Sequence, residues 1–212
     1  MSIKKKDLVM RFETCDVRSV RLFPISHSLF ATIKKCQSEP VEDQKNKSNM
    51  KRIGLLSDTH GYLDDAVFKH FESCDEIWHA GDFGPNVAEP LAAFKPLRGV
   101  YGNIDEKDIR IAFPEHLKFK CEAVDVWMTH IGGYPDHYSP QVKKKIYTKP
   151  PMLFISGHSH ILKVIFDKKI NCLHINPGAA GKHGWHKVRT LIRFCITDEN
   201  IHTLEVIELS GR

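Results

Sequence analysis

Residues 53–61 read IGLLSDTHG, an apolar run followed at once by a polar turn that carries Asp58 and His60. A short apolar run bounded by turn residues predicts a buried strand, here Ile53–Ser57. In α/β folds such strands lie parallel inside a sheet, and ligands gather at their carboxyl ends. The stretch therefore predicts both a central strand and a site at the point where that strand ends.

Outward from this strand, short apolar segments alternate with amphipathic ones. The predicted helices are Leu63–Phe71, Asn86–Phe94 and Ser139–Thr148. The predicted strands after the first are Glu76–His79, Leu97–Val100, His116–Cys121, Val124–Thr129, Leu153–Ser156, Ile161–Asp167, Lys169–His174, Val188–Ile196 and Thr203–Glu208. The order begins β-α-β-α-β and becomes strand-rich, which favours two sheets packed face to face with helices on the outside.

Residues 1–49 differ in composition from the rest of the chain. Polar and charged residues crowd positions 34–49 without a helical or strand period, so we expect a flexible segment. Met50 directly precedes the first predicted strand, as an initiating methionine would. We hypothesise that 1–49 are an extension that is flexible or absent from the native chain, and that 50–212 form one domain. Mass spectrometry of the native protein tests this hypothesis.

The net charge of +5 is concentrated in the N-terminal segment, which carries +4, whereas residues 50–212 carry +1. A nearly neutral body argues against a nucleic-acid-binding face, and Lys143-Lys144-Lys145 fits a solvated helix face. No apolar run approaches the roughly 18 residues of a membrane helix, and the chain starts without a continuous apolar signal segment. The six cysteines have no paired spacing, so we expect reduced thiols and a cytoplasmic protein, with Cys121 and Cys172 in buried strands.

Polar side chains follow the end of a predicted strand five times in succession. The seven residues are Asp58, His60, Asp82, Asn103, His130, His158 and His160. Carboxylate, imidazole and amide oxygen are ligands for hard and borderline divalent ions, and no cysteine is among them. Three or four protein ligands for each ion, with one shared, leave coordination positions open for water and substrate. The pattern predicts a catalytic metal site.

Each of these signals alone also fits a structural role: a helix cap for Asp58, a turn for Asp82, left-handed backbone for Asn103 and a hydrogen-bonded strand end for His130. Two histidines two residues apart at a strand exit, His158 and His160, form the strongest single signal. Five independent coincidences in the same chain order are improbable. The motifs together therefore indicate a metal site more strongly than any one of them does alone.

The ordered motifs Asp-x-His, Gly-Asp, Gly-Asn-x-Asp, Thr-His and Gly-His-Ser-His resemble those of the calcineurin-like metallophosphoesterase superfamily. The resemblance extends from Lys51 to beyond Gly178 and is greatest to the small bacterial and archaeal phosphodiesterases of the YfcE-like branch. It implies a four-layer αββα sandwich, with two mixed β-sheets face to face and flanked by helices. It also implies that Asn176-Pro177-Gly178 lies near the site, although this tripeptide could be a simple turn.

The resemblance further implies two divalent metal ions and a division of their ligands. One ion would be held by Asp58, His60 and His160, the other by Asn103, His130 and His158, and Asp82 would bridge them. It implies hydrolysis of a phosphate ester, a phosphodiester by preference, through attack of a hydroxide that bridges the ions. Manganese is the preferred ion, and iron, zinc, nickel and magnesium also suit these ligands. The residues assigned to catalysis are Asp82, Asn103, Asp105 and His130.

Two positions depart from the family pattern. Many members carry a histidine, thought to assist the leaving group, where this chain has Ile104. That difference argues against protein phosphatase activity and leaves the leaving-group acid open among Asp105, His137 and His183. Asp105 could instead orient a metal ligand. The family often has glycine directly after Thr-His, whereas here Ile131 intervenes, which changes the loop beside the substrate.

A non-catalytic binding module is the main alternative, because the same fold serves as a retromer subunit in eukaryotes. That alternative predicts lost ligand positions, whereas all seven are filled in this chain. A structural metal site would need closed coordination, and a nuclease would need a basic track along its surface. We therefore expect an enzyme that acts on a small phosphate ester, with homo-oligomerisation left open.

Overall fold

The computed structural model describes residues 50–209, so the proposed extension 1–49 lies outside them. The strands are β1 (Lys51–Leu56), β2 (Glu76–His79), β3 (Leu97–Gly99), β4 (His116–Cys121), β5 (Val124–Thr129), β6 (Gly133–Tyr134), β7 (His137–Tyr138), β8 (Leu153–Ile155), β9 (Leu162–Asp167), β10 (Cys172–Pro177), β11 (Arg189–Thr197) and β12 (Asn200–Leu209). The helices are α1 (Asp65–Phe71), α2 (Ala88–Phe94), α3 (Lys107–Ala112) and α4 (Pro140–Thr148). None of these described helices is long and apolar enough to cross a bilayer.

Two five-stranded mixed sheets form the centre of the domain. The first has the order β12-β11-β1-β2-β3, with parallel pairing from β1 to β3 and antiparallel pairing of β11 to both neighbours. The second has the order β4-β5-β8-β10-β9, with parallel pairing from β5 to β10 and antiparallel strands at both edges. The parallel strands of each sheet end at the same edge, which is where the sequence places the candidate ligands.

The two sheets face each other across a shared core of buried aliphatic and aromatic side chains, among them Leu55, Trp78, Met128, Ile155 and Phe194. Helices α1 and α2 cover the outer face of the first sheet, with Val67, Phe71 and Leu91 packed against Leu56 and Ile77. Helix α4 covers the outer face of the second sheet, with Val142 and Ile146 packed against Trp127 and Phe154. The predicted arrangement of two mixed sheets flanked by helices is confirmed.

Helix α1 begins later than the predicted start at Leu63. Asp64 caps it, because its carboxylate accepts a hydrogen bond from Ala66 N at 2.9 Å. Asp58 therefore does not serve as the cap of this helix. The exposed lysines of α4, residues 143–145, form a solvated helix face as expected.

The predicted strand Lys169–His174 was wrong in its placement. The chain turns between β9 and β10, with Asn171 in left-handed backbone at φ 51°, and β10 then runs from Cys172 to Pro177. The apolar Ile170 belongs to that turn, which gave the sequence a misleading strand pattern. Pro177 is tolerated at the strand end because β8 pairs only as far as Ile175, so no β8 partner needs the missing N–H.

Helix α3 and the β6–β7 hairpin were not predicted. No side chain of α3 is buried, so its sequence lacks the apolar period by which helices are detected. The hairpin strands have two residues each, too few for an alternating pattern. Cys121 and Cys172 are buried strand residues, as predicted.

Candidate metal centre

The loops that follow β1, β2, β5 and β8 are joined by backbone hydrogen bonds at one edge of the sandwich. His60 N donates to Asp82 O at 3.0 Å, which ties the β1 loop to the β2 loop. Gly157 N donates to His130 O at 3.0 Å, which ties the β8 loop to the β5 loop. His158 N donates to Asp58 Oδ2 at 3.1 Å and so connects the two sheets. These hydrogen bonds hold the four loops together, so the candidate side chains that the loops carry lie close to one another.

One group of candidate ligands consists of Asp58, His60 and His160. Asp58 Oδ1 lies 3.2 Å from His160 Nε2 and 4.0 Å from His60 Nε2. The two imidazole Nε2 atoms are 3.1 Å apart. Three potential ligand atoms from β1 and β8 thus point at a common position.

The second group consists of Asp82, His130 and His158. Asp82 Oδ2 lies 3.2 Å from His130 Nε2 and 3.8 Å from His60 Nε2. One carboxylate oxygen therefore faces a histidine of each group. This position between the groups is the one that a bridging carboxylate would occupy.

Asn103 follows β3 and lies exposed on the rim, where it lines the same pocket as His60, Asp82 and His158. It is not among the described residues with left-handed backbone, so it does not have the αL turn role that its position after Gly102 allowed. All seven predicted residues are consequently at one site.

Two of the potential ligand atoms lack a hydrogen-bond partner within the protein, which is what a metal site requires of its ligands. Asp58 Oδ1 and His130 Nε2 are buried without a hydrogen-bond partner, which is costly unless another group satisfies them. The other atoms of the same side chains are used: Asp58 Oδ2 accepts from Ser57 Oγ at 2.5 Å, and His130 Nδ1 donates to Ala80 O at 2.8 Å. The latter bond leaves Nε2 as the lone-pair nitrogen when the ring is neutral, the form that binds metals.

Five of the seven residues have left-handed backbone, namely Asp58, His60, Asp82, His158 and His160, with φ between 48° and 68°. Side chains other than glycine, asparagine and aspartate seldom adopt this conformation, and it costs of order 1 kcal/mol or more at each such residue. Three of the five are histidines. Such strain concentrated at one edge is typical of a functional site and is maintained by the surrounding hydrogen bonds.

Burial and charge act against each other at the centre. Burial alone would raise the pKa of Asp82, but the imidazole of His130 outweighs it, so the pKa lies below its usual value. Burial likewise opposes protonation of His130, but the carboxylates of Asp82 and Asp58 raise its pKa. At His60 and His158 burial dominates and lowers the pKa. The lowered pKa keeps the carboxylate of Asp82 ionised, the form in which a carboxylate can bind a metal.

Two buried histidines outside the predicted set support the loops. Burial lowers the pKa of His79 to about 3, so the ring is neutral. It stacks on Phe83, with its Nε2 3.0 Å from Thr59 Oγ1 and its Nδ1 accepting from Gly81 N at 3.2 Å. His174, whose pKa burial lowers to about 4, lies 3.1 Å from Ser156 Oγ. Their positions inside predicted strands gave no sign of this role.

Asp105 does not face the ligand groups. Its two carboxylate oxygens accept from Gly84 N at 2.9 Å and from Gly102 N at 2.8 Å. Arg110 of the unpredicted helix α3 donates to the carbonyl oxygens of Gly102, Asn103 and Asp105. Together they hold the β3 loop in place, which favours a positioning role for Asp105 over proton donation.

Asn176 holds the turn that carries His158 and His160. Its Nδ2 donates to Gly157 O at 2.7 Å and to Ser159 Oγ at 3.1 Å, while its Oδ1 accepts from Gly178 N at 3.0 Å. The Asn-Pro-Gly sequence therefore borders the site, as the family resemblance implied.

Gly157 allows the two sheets to approach at the site. A Cβ atom there would overlap Ser57 Oγ and the carbonyl oxygen of Ala80. We expect Gly157→Ala to lower the free energy of unfolding by about 1–3 kcal/mol, as overpacking does, and to displace the adjacent histidines. Urea denaturation and hydrolysis assays check this. An unchanged midpoint together with unchanged activity contradicts it.

Five of the seven candidate residues form the floor of a pocket of about 540 Å³, namely His60, Asp82, Asn103, His158 and His160. Its walls come from Ile104, Ile161 and the loop residues 183–186. His183 stands beside the floor, with its ring centroid 4.9 Å from that of His60. His137, by contrast, is not among the lining residues, and its ring packs near Tyr134.

A two-sheet sandwich with carboxylates and imidazoles gathered at its strand ends defines the metallophosphoesterase class. The family model of the calcineurin-like phosphoesterase superfamily domain matches residues 50–199. The chain therefore belongs to the calcineurin-like phosphoesterase superfamily. No curated protein gives a significant sequence match.

Solved structures share the fold at low sequence identity. Vps29 from Chaetomium thermophilum aligns with a TM-score of 0.60 and 13% identity over 75% of this chain and 97% of its own. A novel archaeal phosphodiesterase aligns with a TM-score of 0.57 and 20% identity over 74% and 99%. A predicted phosphoesterase from Streptococcus pneumoniae aligns with a TM-score of 0.52 and 19% identity over 76% and 98%. At these identities the solved structures show that the fold is shared.

Proposed function

We propose that this protein is a dinuclear metal-dependent phosphodiesterase. The observation that carries the proposal is the position of Asp82, whose Oδ2 faces His60 of one ligand group and His130 of the other. A carboxylate so placed would be within reach of an ion held by either group. The ligand positions of the superfamily are all filled, and the pocket above them is open to a small ester.

The ligand sets are those implied by the family. Asp58, His60 and His160 would hold one ion, Asn103, His130 and His158 the other, and Asp82 both. When bound, two such ions neutralise phosphoryl charge and lower the pKa of a bound water. We propose manganese as the bound ion, with iron, zinc, nickel and magnesium as alternatives that also suit oxygen and nitrogen donors.

The protein's own contribution is positional. Ile104 N donates to Asp82 Oδ1 at 3.0 Å, so the bridging carboxylate keeps its orientation and directs Oδ2 into the site. Asp105 and Arg110 hold the loop that presents Asn103, and Asn176 holds the turn with the two histidines. These contacts preorganise the ligands before substrate binds.

Hydrolysis of p-nitrophenyl mono- and diesters across a series of Mn²⁺, Fe²⁺, Zn²⁺, Ni²⁺ and Mg²⁺ tests the proposal. We expect turnover with at least one ion and a preference for the diester. The alternative is a non-catalytic binding module, which the Vps29 neighbours make worth testing. Uniform absence of turnover with every ester and ion would favour that module.

Of the three candidates for the leaving-group acid, His183 alone lines the pocket. A group that protonates the leaving oxygen matters most for esters of poor leaving groups. We expect His183→Gln to slow hydrolysis of an alkyl phosphodiester by about 10²-fold, a typical contribution of such a group, and to affect a p-nitrophenyl ester far less. Steady-state kinetics on both esters measure this, with His137→Gln as the matched control. Equal slowing of both esters contradicts a proton-donating role.

A further inference from the structure

We infer that Trp185 binds a planar aromatic part of the substrate, such as a nucleobase, above the metal centre; this inference rests on the proposed phosphodiesterase function. Trp185 is 98% exposed although it lines the pocket. An indole is rarely left in water in this way, because its burial is among the largest apolar gains available to a side chain. Its exposed face is available for stacking with a ligand.

The backbone of the Trp185 loop is fixed at its root. Ala180 N donates to Ser57 O at 2.9 Å and Gly181 N donates to Asp58 O at 3.1 Å, which joins the loop to the strand end that carries the ligands. A Cβ atom on Gly181 would overlap the carbonyl group of Thr59, so the two chains are in close contact. The loop therefore starts from the site itself.

The tip of the loop also packs on the ligands. Gly184 has φ 119°, and a Cβ atom there would overlap the imidazole of His160. His186 Nε2 donates to Gly181 O at 3.0 Å, and its ring lies 5.2 Å from that of His160. Trp185 stands between these two residues. These contacts fix the backbone on both sides of Trp185, which lines the pocket.

The composition of the pocket indicates which ligand chemistry the walls favour. Ile104 and Ile161, 43% and 57% exposed, provide apolar surface at the rim beside Trp185. Among residues 50–209, no lysine or arginine lines this pocket. The nearby Lys182 directs its Nζ over the ring of Tyr62, 4.5 Å from the centroid. A second phosphate group would find no lysine or arginine among these lining residues, so the walls favour an uncharged planar group.

The size of the pocket agrees with this assignment. Its 540 Å³ falls within the roughly 300–1,000 Å³ of small-molecule sites and far exceeds what a phosphoryl group alone fills. The metal ligands line the floor, and the apolar residues line the walls. A phosphodiester with one aromatic substituent satisfies both parts at once.

Direct binding separates the aromatic contact from catalysis. Trp78 and Trp127 are almost fully buried, so a small ligand should quench chiefly the fluorescence of Trp185. The probes are thymidine 5′-monophosphate and 2-deoxyribose 5-phosphate, which share a sugar phosphate and differ in the presence of the base. We expect thymidine 5′-monophosphate to bind the metal-loaded protein about tenfold more tightly and to quench the fluorescence, since stacking on one aromatic ring provides a factor of about this size.

Calorimetry on variants then assigns the difference to Trp185. In Trp185→Ala the tenfold ratio should fall to within about twofold, Trp185→Phe should retain most of it, and Lys187→Ala on the same loop should leave it unchanged. Equal affinity of the wild-type protein for the two probes overturns the inference. A ratio that survives in Trp185→Ala does the same.

Kinetics on two esters with one leaving group provide the second test. Thymidine 5′-p-nitrophenyl phosphate and methyl p-nitrophenyl phosphate release the same phenolate, so they differ only in the retained group. We expect kcat/KM to favour the thymidine ester about tenfold and Trp185→Ala to remove that preference by slowing the thymidine ester about tenfold more than the methyl ester. If both esters react equally, Trp185 has no such role and the phosphodiesterase assignment stands. If neither reacts with any ion, the assignment fails, and the binding ratio still decides the role of Trp185.

Discussion

The Asp82→Ala protein is expected to remain folded, to lose bound metal and to lose hydrolysis by more than the roughly 10–100-fold typical of residues that only orient a ligand. The reason is its central position, because Asp82 Oδ2 faces histidines of both groups while Oδ1 holds the β3 loop through Ile104 N. One substitution removes a shared ligand and loosens a neighbouring loop. Metal content by atomic emission and kcat/KM on a diester measure the two losses.

A second variant guards against an effect on folding. Asp82 has left-handed backbone at φ 57°, which alanine adopts less readily than aspartate or asparagine. Asp82→Asn keeps that backbone preference and an oxygen acceptor for Ile104 N, and it removes only the charge. We expect the same loss of activity. Asp125→Ala, at an exposed surface pair with Lys120, is the matched control. Activity retained in both Asp82 variants excludes the proposed bridge.

Removal of metal is expected to lower the melting temperature of the wild-type protein. A ligand that binds only the folded state stabilises it by about 2.7 kcal/mol when present at a hundredfold excess over its Kd. For a domain of this size that corresponds to a rise of about 5–10 °C for each ion. The buried, unpartnered oxygen of Asp58 and the clustered carboxylates make the metal-free site the less stable one.

Differential scanning fluorimetry with chelator and then with each ion measures this shift. The Asp82→Asn protein should show a much smaller one, because the shared ligand is gone. A melting temperature that changes neither with chelator nor with any of the five ions would rule out a bound metal at this site. A shift without hydrolysis would indicate a metal-dependent binding module.

The strand ends and the type of fold could be predicted because they depend on local pattern. Buried strands such as β1 and β5 are short apolar runs, and the ligands follow them directly in the chain, so order alone indicated a shared site. Asp58 and His60 needed only the rule that parallel strands end at one edge. The αββα layering followed from the order of elements and from the resemblance.

The supporting contacts could not be predicted because they join residues far apart in sequence or use backbone groups. His79 gives no sign that it would stack on Phe83 and contact Thr59, and Asp105 looked like a catalytic candidate until its oxygens proved to accept backbone N–H groups. Helix α3, which supplies Arg110, buries no side chain and so leaves no period to detect. Left-handed backbone at three histidines is likewise invisible in composition.

The pairing of β1 with β11 has a consequence for how the protein is made. The strand that leads into Asp58 lies between β2 and β11, so one of its two neighbours is synthesised more than a hundred residues later. Long-range pairings of this kind form slowly and leave strand edges open in the meantime. On the ribosome, the candidate metal-ligating residues would be synthesised before β11, and β1 would still lack one of its two neighbouring strands. If the proposed ions bind only the completed site, metal binding follows emergence of β11 and β12, so these late strands determine when the site is complete.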